Sequence, residues 1–251
     1  AFYKHQDKIL THKVFRFEQL PKGKRVASIK ELQSIDVADN GDFIGFKHRT
    51  VMRGCSQLPG INYKIEENSS PVPDLSTIRL VLTEALRKGE PCRAGDIAAA
   101  YLKGLSMESD EVYVKATEEF LEYLHIPSLD TSIQMLKQNM LDDYYKLKES
   151  TKNQKKIVLR VLQPLPGSKQ AGFLWHERLV ILLKSLGFRK SKVDPCLFIL
   201  EKEECMTYVI AWVDDIRGTG KHFYLVEEEM KRQLDTEFEN LQHYLGCKYE
   251  F

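Results

Sequence analysis

Cysteine is scarce in this 251-residue sequence: Cys55, Cys92, Cys196, Cys205 and Cys247 are odd in number and form no Cys-x-x-Cys pair. That argues against a disulfide framework and a zinc ribbon, and for a reducing, intracellular compartment. Long apolar runs are missing too. None approaches the roughly 18 residues of a membrane span, so no membrane partner is expected. Ala1 to Lys13 is polar and basic, which is no secretory signal. A chain that starts at Ala1 rather than Met reads as a piece of something longer. Neither sign of charge is in excess: 37 Lys+Arg against 36 Asp+Glu leave a net +1, which excludes a uniformly basic nucleic-acid coat. Gly218-Thr219-Gly220-Lys221 fails as a phosphate loop, because Asp215 stands where the first Gly belongs and His222 where Ser or Thr belongs. There is no G-x-G-x-x-G after a strand and no G-x-S-x-G. The seven His are scattered without metal-ligand spacing.

What the chain does have is core-forming capacity and zoned charge. At 43% hydrophobic it is too apolar for disorder, and its length suits one large domain or two small ones. Residues 1–60 carry a net +5, 108–143 a net −7, 155–192 a net +8 and 201–251 a net −6. Such zones suit either an anionic ligand or solvated helix faces.

The periodicities give an α+β fold with antiparallel strands. A hairpin is expected over 39–57, turning at Asn40-Gly41. Asp74 reads as the N-cap of a helix closed by Gly89. Pro91 to Ile97 reads as a strand, 117–150 as one or two helices, and Ile157 to Leu162 as a strand. Lys169 to Leu186 and His222 to Phe238 read as amphipathic helices. Cys196 to Leu200 and Met206 to Val213 read as paired strands, and a further strand begins near Tyr244.

The chemistry concentrates at Asp214-Asp215. A bare Asp-Asp pair also suits a solvated surface turn. Here, however, it follows Tyr208-Val209-Ile210-Ala211-Trp212-Val213, a strand apolar on both faces, which places the carboxylates at the rim of a core. Adjacent carboxylates there require a cation. Asp96 ends another strand and makes a third carboxylate. An oxygen-only set of this kind suits Mg²⁺. Two such ions about 4 Å apart activate an attacking hydroxyl and stabilise a leaving pyrophosphate.

Several boxes resemble, in order, those of copia-type LTR-retrotransposon reverse transcriptases. Val213-Asp214-Asp215 resembles the core of the Tyr-Val-Asp-Asp box. Ala94 to Gly104 resembles the Asp-Val-x-x-Ala-Phe/Tyr-Leu-x-Gly box. Lys169-Gln170-Ala171 with Trp175 is similar to the Leu-Lys-Gln-Ala-x-x-x-Trp segment, continued by Leu186-Gly187-Phe188 and Asp194 to Phe198. Lys47 to Gln57 resembles Lys-Ala-Arg-Leu-Val-x-Lys-Gly-x-x-Gln. Thr77-Ile78-Arg79 and Tyr244-Leu245-Gly246 also fit. The set spans residues 20–250.

The resemblance implies a right-hand polymerase, with fingers mainly in 1–90 and palm mainly in 91–251. It further implies an antiparallel palm sheet backed by helices, an insertion at 105–156, a primer grip near 244–251 and no thumb within the chain. It assigns Asp96, Asp214 and Asp215 as catalytic metal ligands, joined by the Ile97 carbonyl, for two Mg²⁺ ions that Mn²⁺ would replace. It assigns Lys47, Arg49, Tyr101 (a steric gate for the sugar), Gln170, Gly167 and Trp212 to the substrate. Exposed hairpin charges and a core aromatic are the plainer readings of Lys47, Arg49 and Tyr101. The implied partners are an RNA template, a DNA primer or RNA–DNA hybrid, and a deoxynucleoside triphosphate (dNTP). Integrase and ribonuclease H domains are expected in the parent polyprotein, and a protein partner for the insertion. A cytoplasmic particle or the nucleus is the expected location, with an organelle left open.

The sequence departs from the family pattern in several places. Trp212 replaces Tyr, Pro166-Gly167-Ser168 replaces Tyr-Gly-Leu, Val26 to Ile35 lacks the usual Trp-x-Phe-x-x-Lys strand, and the stretch between Gly104 and Leu165 is longer than usual and lacks the family's Pro-rich segment. Two alternatives stay open. One is a domesticated or fragmentary module that binds RNA or scaffolds an assembly without catalysis. The other is a metal-dependent nuclease using the same carboxylates.

Overall fold

The computed structural model describes residues 1–38, 41–151 and 156–241, and the backbone of 243–244 and 247–248. In chain order the first elements are α1 (Phe2–Thr11), β1 (Phe15–Gln19), β2 (Val26–Ala27), β3 (Ile29–Val37) and β4 (Phe43–Met52). Then come α2 (Leu75–Lys88), β5 (Arg93–Asp96), β6 (Tyr113–Val114), α3 (Glu118–His125), α4 (Thr131–Ser150) and β7 (Ile157–Val161). The last are α5 (Ala171–Ser185), β8 (Arg189–Lys190), β9 (Leu197–Lys202), β10 (Cys205–Trp212), β11 (Asp215–Thr219), α6 (Tyr224–Leu234), β12 (Glu239–Asn240), β13 (His243–Tyr244) and β14 (Cys247–Lys248). The mixed α+β class expected from the sequence is what these elements form. One strand pair, β2 with β6, is parallel, against the expectation of antiparallel pairing throughout.

The chain divides into two compact units, residues 1–68 with 101–174 and residues 69–100 with 175–251. Each unit is built from two separate stretches of chain. The 105–156 stretch is built into the first unit. Its β6 pairs with both β2 and β7, and its Tyr113, Phe120, Tyr123 and Leu124 are buried in the first unit. Helix α2, expected with the N-terminal part, belongs to the second unit.

In the first unit a four-stranded sheet, ordered β1-β7-β6-β2, is accompanied by the separate β3–β4 hairpin. Helix α4 packs on β1 and β7, and α1 packs on α4 and β4. The hairpin runs from Ile29 to Met52, so it begins ten residues before the expected 39–57. Its first strand is illegible in the sequence because few of its side chains are buried, and without a buried face a strand shows no alternation. Asn40, half of the expected turn, lies outside the described residues.

Two loops of this unit close on each other. Met52 N donates to Pro166 O at 2.8 Å. A Cβ on Gly167, whose φ is +81°, would meet Met52 O at 2.3 Å, and one on Gly54 would meet Gly167 O at 2.6 Å. Gln57 Nε2 donates to Gln170 Oε1 (2.9 Å), and Lys169 N donates to Gln57 Oε1 (2.8 Å). Backbones this close exclude any side chain at either glycine.

The second unit is a six-stranded sheet ordered β12-β5-β11-β10-β9-β8. Helix α2 forms as expected: the Asp74 side chain accepts from Ser76 N, and Gly89 closes the helix at φ +63°. Its Ile78, Val81, Leu82 and Ala85 pack on Leu197, Ile210, Ala94, Tyr208 and Trp212. Helix α6 is shorter than the expected 222–238, because Asp235 adopts φ +49° and ends it. The chain then folds Phe238 over Gly95, where a Cβ would meet the ring at 2.7 Å. Arg93 locks this return, donating to Glu227, Asn240 and the Phe238 carbonyl.

One half-buried group of the first unit sets a pH dependence. The His5 ring accepts from Thr50 N at 2.9 Å. Burial, with His48, Lys8 and Arg49 nearby, holds its pKa down at about 4. The unfolded chain takes up that proton near the ordinary histidine value and the folded chain only near 4, so stability falls as pH drops through this window. His5→Gln is expected to flatten this part of the pH dependence of urea unfolding between pH 7 and 4.5. An unchanged dependence would contradict the assignment.

Candidate active site

Strand β10 is apolar on both faces, with Val209, Ile210 and Ala211 buried. It therefore sits inside the sheet, and its turn into β11 lies at the sheet's rim. Trp212 pairs with Asp215, so the hairpin loop is the two residues Val213 and Asp214. Two-residue hairpins need a positive φ at the first position, usually from Gly. Here Val213 carries it, at φ +55°. A β-branched residue so placed costs about 1–3 kcal/mol and persists only where its surroundings hold it. Both loop carbonyls are held: Trp175 Nε1 donates to Val213 O, and Ile97 N donates to Asp214 O at 2.8 Å. Trp175 is fully buried on α5, which gives a structural role to a residue that the sequence offered only as part of a matching segment.

Strand β5 then sets the third carboxylate. It pairs antiparallel with β11, with Asp96 opposite Asp215. Directly opposed residues project to the same face, so Asp96, Asp215 and Trp212 share one face of the sheet edge. The approach of Asp96 to Asp214-Asp215, across about 120 residues of sequence, is what the structure brings together. Asp96 and Asp214 are exposed and Asp215 is half-buried.

The electrostatics follow from this packing. Burial raises the Asp215 pKa above the usual carboxylate value; Arg217 opposes the rise, and Asp96 and Asp214 add to it. Arg217 Nη2 donates to Asp215 Oδ2 at 2.6 Å. Sequence reasoning missed Arg217. Its signal was there: Asp-x-Arg at i and i+2 on a strand puts both side chains on one face.

The donor chemistry suits a hard divalent cation, since all three groups are carboxylates. The side chains are not gathered into a cage: among the described residues no three His, Cys, Asp or Glu groups are placed to hold a metal ion. Asp215 is turned onto Arg217 instead. The set fits a metal in donor type and in backbone register.

The remaining expected site residues fall in both units. Ile97 is buried beside Asp96. Trp212 is half-buried and packs on the α2 cluster. Lys47 and Arg49 are exposed on β4, with Lys47 Nζ 4.0 Å from Asp36 across the hairpin. Tyr101 is half-buried in a 3₁₀ turn over Ala100–Lys103. Gly167 is exposed at the loop closure with Met52. Gln170 has no exposed surface and spends its amide on Gln57, Asn62 O and Asp110. Its side chain joins two loops of the first unit. Of the primer-grip residues 244–251, only the backbone of Tyr244, Cys247 and Lys248 is described; the rest lie outside the described residues.

A reverse transcriptase (RNA-dependent DNA polymerase) family profile matches residues 12–150, more than half of the chain. The chain belongs to that family. The match includes Asp96 and ends before Asp214-Asp215. Among curated proteins, this reverse transcriptase chain is similar to the retrovirus-related Pol polyproteins from transposons RE2 and RE1 of Arabidopsis thaliana. Each is 28% identical over 213 residues, covering 83% of the chain and 12% of the relative. That from transposon TNT 1-94 of Nicotiana tabacum is 23% identical over 240 residues, covering 95% and 16%. The copia-type resemblance is thereby borne out, and the chain spans about an eighth of the Arabidopsis relatives' length. Among solved structures, telomerase from Candida albicans in complex with a fragment of telomeric RNA aligns at 10% identity and TM-score 0.33, covering 95% of this chain and 46% of that one. At that distance it carries no argument. No helix among the described residues is long and apolar enough to cross a membrane.

Because burial and two like charges oppose ionisation of Asp215, neutralising it relieves the metal-free fold. Asp215→Asn is expected to raise the thermal midpoint of the chain in chelator by a few degrees. A lowered midpoint would mean that the Arg217 pair outweighs the repulsion.

Proposed function

We propose that the chain is the polymerase part of a retrotransposon Pol polyprotein and carries out RNA-directed DNA synthesis. The assigned reaction is attack of a primer 3′-hydroxyl on the α-phosphorus of a dNTP, with pyrophosphate leaving. The observation that carries this reading is the β5–β11 register, which sets Asp96 opposite Asp215 and beside Asp214. An acid cluster on a held turn is of little use to packing and of direct use to phosphoryl chemistry.

In this reading Asp96, Asp214 and Asp215, with the Ile97 carbonyl, would hold two Mg²⁺ ions, for which Mn²⁺ would substitute. Bound there, such ions lower the pKa of an attacking hydroxyl and neutralise charge on the phosphate. The chain's own contribution is placement. The register fixes the spacing of the carboxylates, and Trp175 and Ile97 keep the strained turn from relaxing. Arg217 serves as counter-ion to Asp215 until a stronger cation arrives. Lys47 and Arg49 are assigned to triphosphate and nucleic-acid phosphate, where charge-assisted bonds are strongest. Tyr101, five residues after Asp96 in the chain, is assigned as the sugar gate. Trp212 and the Gly167 backbone are assigned to the nucleotide and template. RNA template, DNA primer or RNA–DNA hybrid are the macromolecular partners, and integrase and ribonuclease H activities are assigned to the rest of the polyprotein.

A second reading is favoured by the Arg217–Asp215 ion pair. An internal cation that satisfies the site permanently would leave a module that binds RNA or scaffolds an assembly without catalysis. Template-primed nucleotide incorporation with Mg²⁺ or Mn²⁺ separates the two. Activity that falls at least 10³-fold in Asp214→Asn, with unchanged primer–template binding, supports the polymerase. Activity indifferent to that change contradicts it. Retained RNA binding with no incorporation, with and without Arg217→Gln, supports the second reading.

A further inference from the structure

A cavity of about 280 Å³ in the first unit is lined by Phe2, Tyr3, Tyr123, His48, Glu31, Glu119, Glu122, Gln33 and Ile126. Three features of it point to a ligand. The first is its charge: three glutamates and no Lys or Arg in the lining. Glu31 is engaged by His48 and Thr50, whereas Glu119 and Glu122 enter no ion pair among the described residues.

The second is its rings. Tyr3 stacks on Tyr123 at 6.1 Å, and Phe2 meets both Tyr123 and His48 edge-on at 6.2 and 4.9 Å. Aromatic faces beside carboxylates attract cations. The fold already uses the same ring this way: Lys137, 3% exposed, holds its ammonium 3.8 Å from the Tyr123 centroid.

The third is His48, which is 6% exposed. Its Nε2 lies 2.8 Å from Glu31 Oε2, a contact that assigns the ring proton to Nε2. Its Nδ1 is buried without a hydrogen-bond partner among the described residues. A buried polar atom of this kind calls for a partner.

We propose that this cavity is a binding site for the ammonium or guanidinium of a Lys or Arg side chain, presented by a basic segment of a partner protein. Glu119 and Glu122 supply the counter-charge, Phe2 and Tyr3 cover the alkyl stem, and His48 forms part of the wall. Charge complementarity selects this occupant, since an RNA phosphate would meet only carboxylates and π-faces. The proposal also gives a use to the acidic 108–143 zone, for which the polymerase reading has none. It does not depend on that reading, because none of its residues is assigned to catalysis.

The test is titration calorimetry of the 251-residue chain with a blocked tetrapeptide of four lysines, and with one of four glutamines as the neutral control. The expected result is binding of the lysine peptide alone. Glu119→Gln with Glu122→Gln should weaken it at least tenfold, and Tyr3→Ala at least threefold. Tyr3 is 55% exposed, so its loss leaves the core intact, which circular dichroism verifies. Absence of binding at millimolar peptide would overturn the proposal. So would equal weakening by Glu228→Gln with Glu229→Gln on α6, together with no effect of Tyr3→Ala, because that pattern is attraction to acidic surface in general.

Discussion

The antiparallel pairing of β5 with β11 puts Asp96 and Asp215 on one face of a sheet edge, with Asp214 in the adjoining turn. Like charges so placed repel each other through a partly desolvated medium, and burial makes the repulsion worse for Asp215. Much of the second unit is arranged to hold this unfavourable grouping. The turn keeps Val213 in a conformation that L side chains avoid, because Trp175 and Ile97 bond to its two carbonyls. Helix α2 and the apolar strands β9 and β10 supply the packing that offsets the cost. Arg217 supplies charge. A sheet built only for stability would gain from a neutral residue in place of Asp215, where burial and two neighbouring acids oppose the charge.

Other sequence boxes shared with the family also contain residues that fasten the fold. Gly54 and Gln57 belong to one box, Gly167 and Gln170 to another, and each pair meets across the closure of two loops. The glycines are there because backbone passes within van der Waals distance of backbone. The glutamines are there because an amide donates and accepts at once and so joins two loops. Gln170 is wholly buried for this reason. A residue type common in binding sites is equally suited to cross-linking loops, and sequence alone does not separate the two uses.

Legibility in the sequence followed the strength of the local signal. Helix α2 was readable from Asp74 and Gly89, because capping is a property of neighbouring residues. The end of β10 was readable because an unbroken apolar run that ends in two acids must leave the core where the acids begin. Strand β3 was not, since its side chains are mostly exposed and impose no alternation. The division into two units was not, since each joins stretches separated by tens of residues. Nor was the core role of 105–156, whose Tyr113, Phe120 and Tyr123 are buried in the first unit. Arg217 was overlooked because its partner is two residues away, and the short Asp215–Thr219 strand that aligns the two carries only one bulky apolar residue, Ile216, to mark it as a strand.

The central claim is that the β5–β11 register exists to gather three carboxylates for divalent cations. Anomalous scattering from a Mn²⁺-soaked crystal of the chain tests it most directly. The account predicts a manganese peak bounded by Asp96, Asp214 and Asp215, with the Asp215 carboxylate turned away from Arg217. A structure saturated with Mn²⁺ that shows no peak there, and Asp215 still on Arg217, would contradict it.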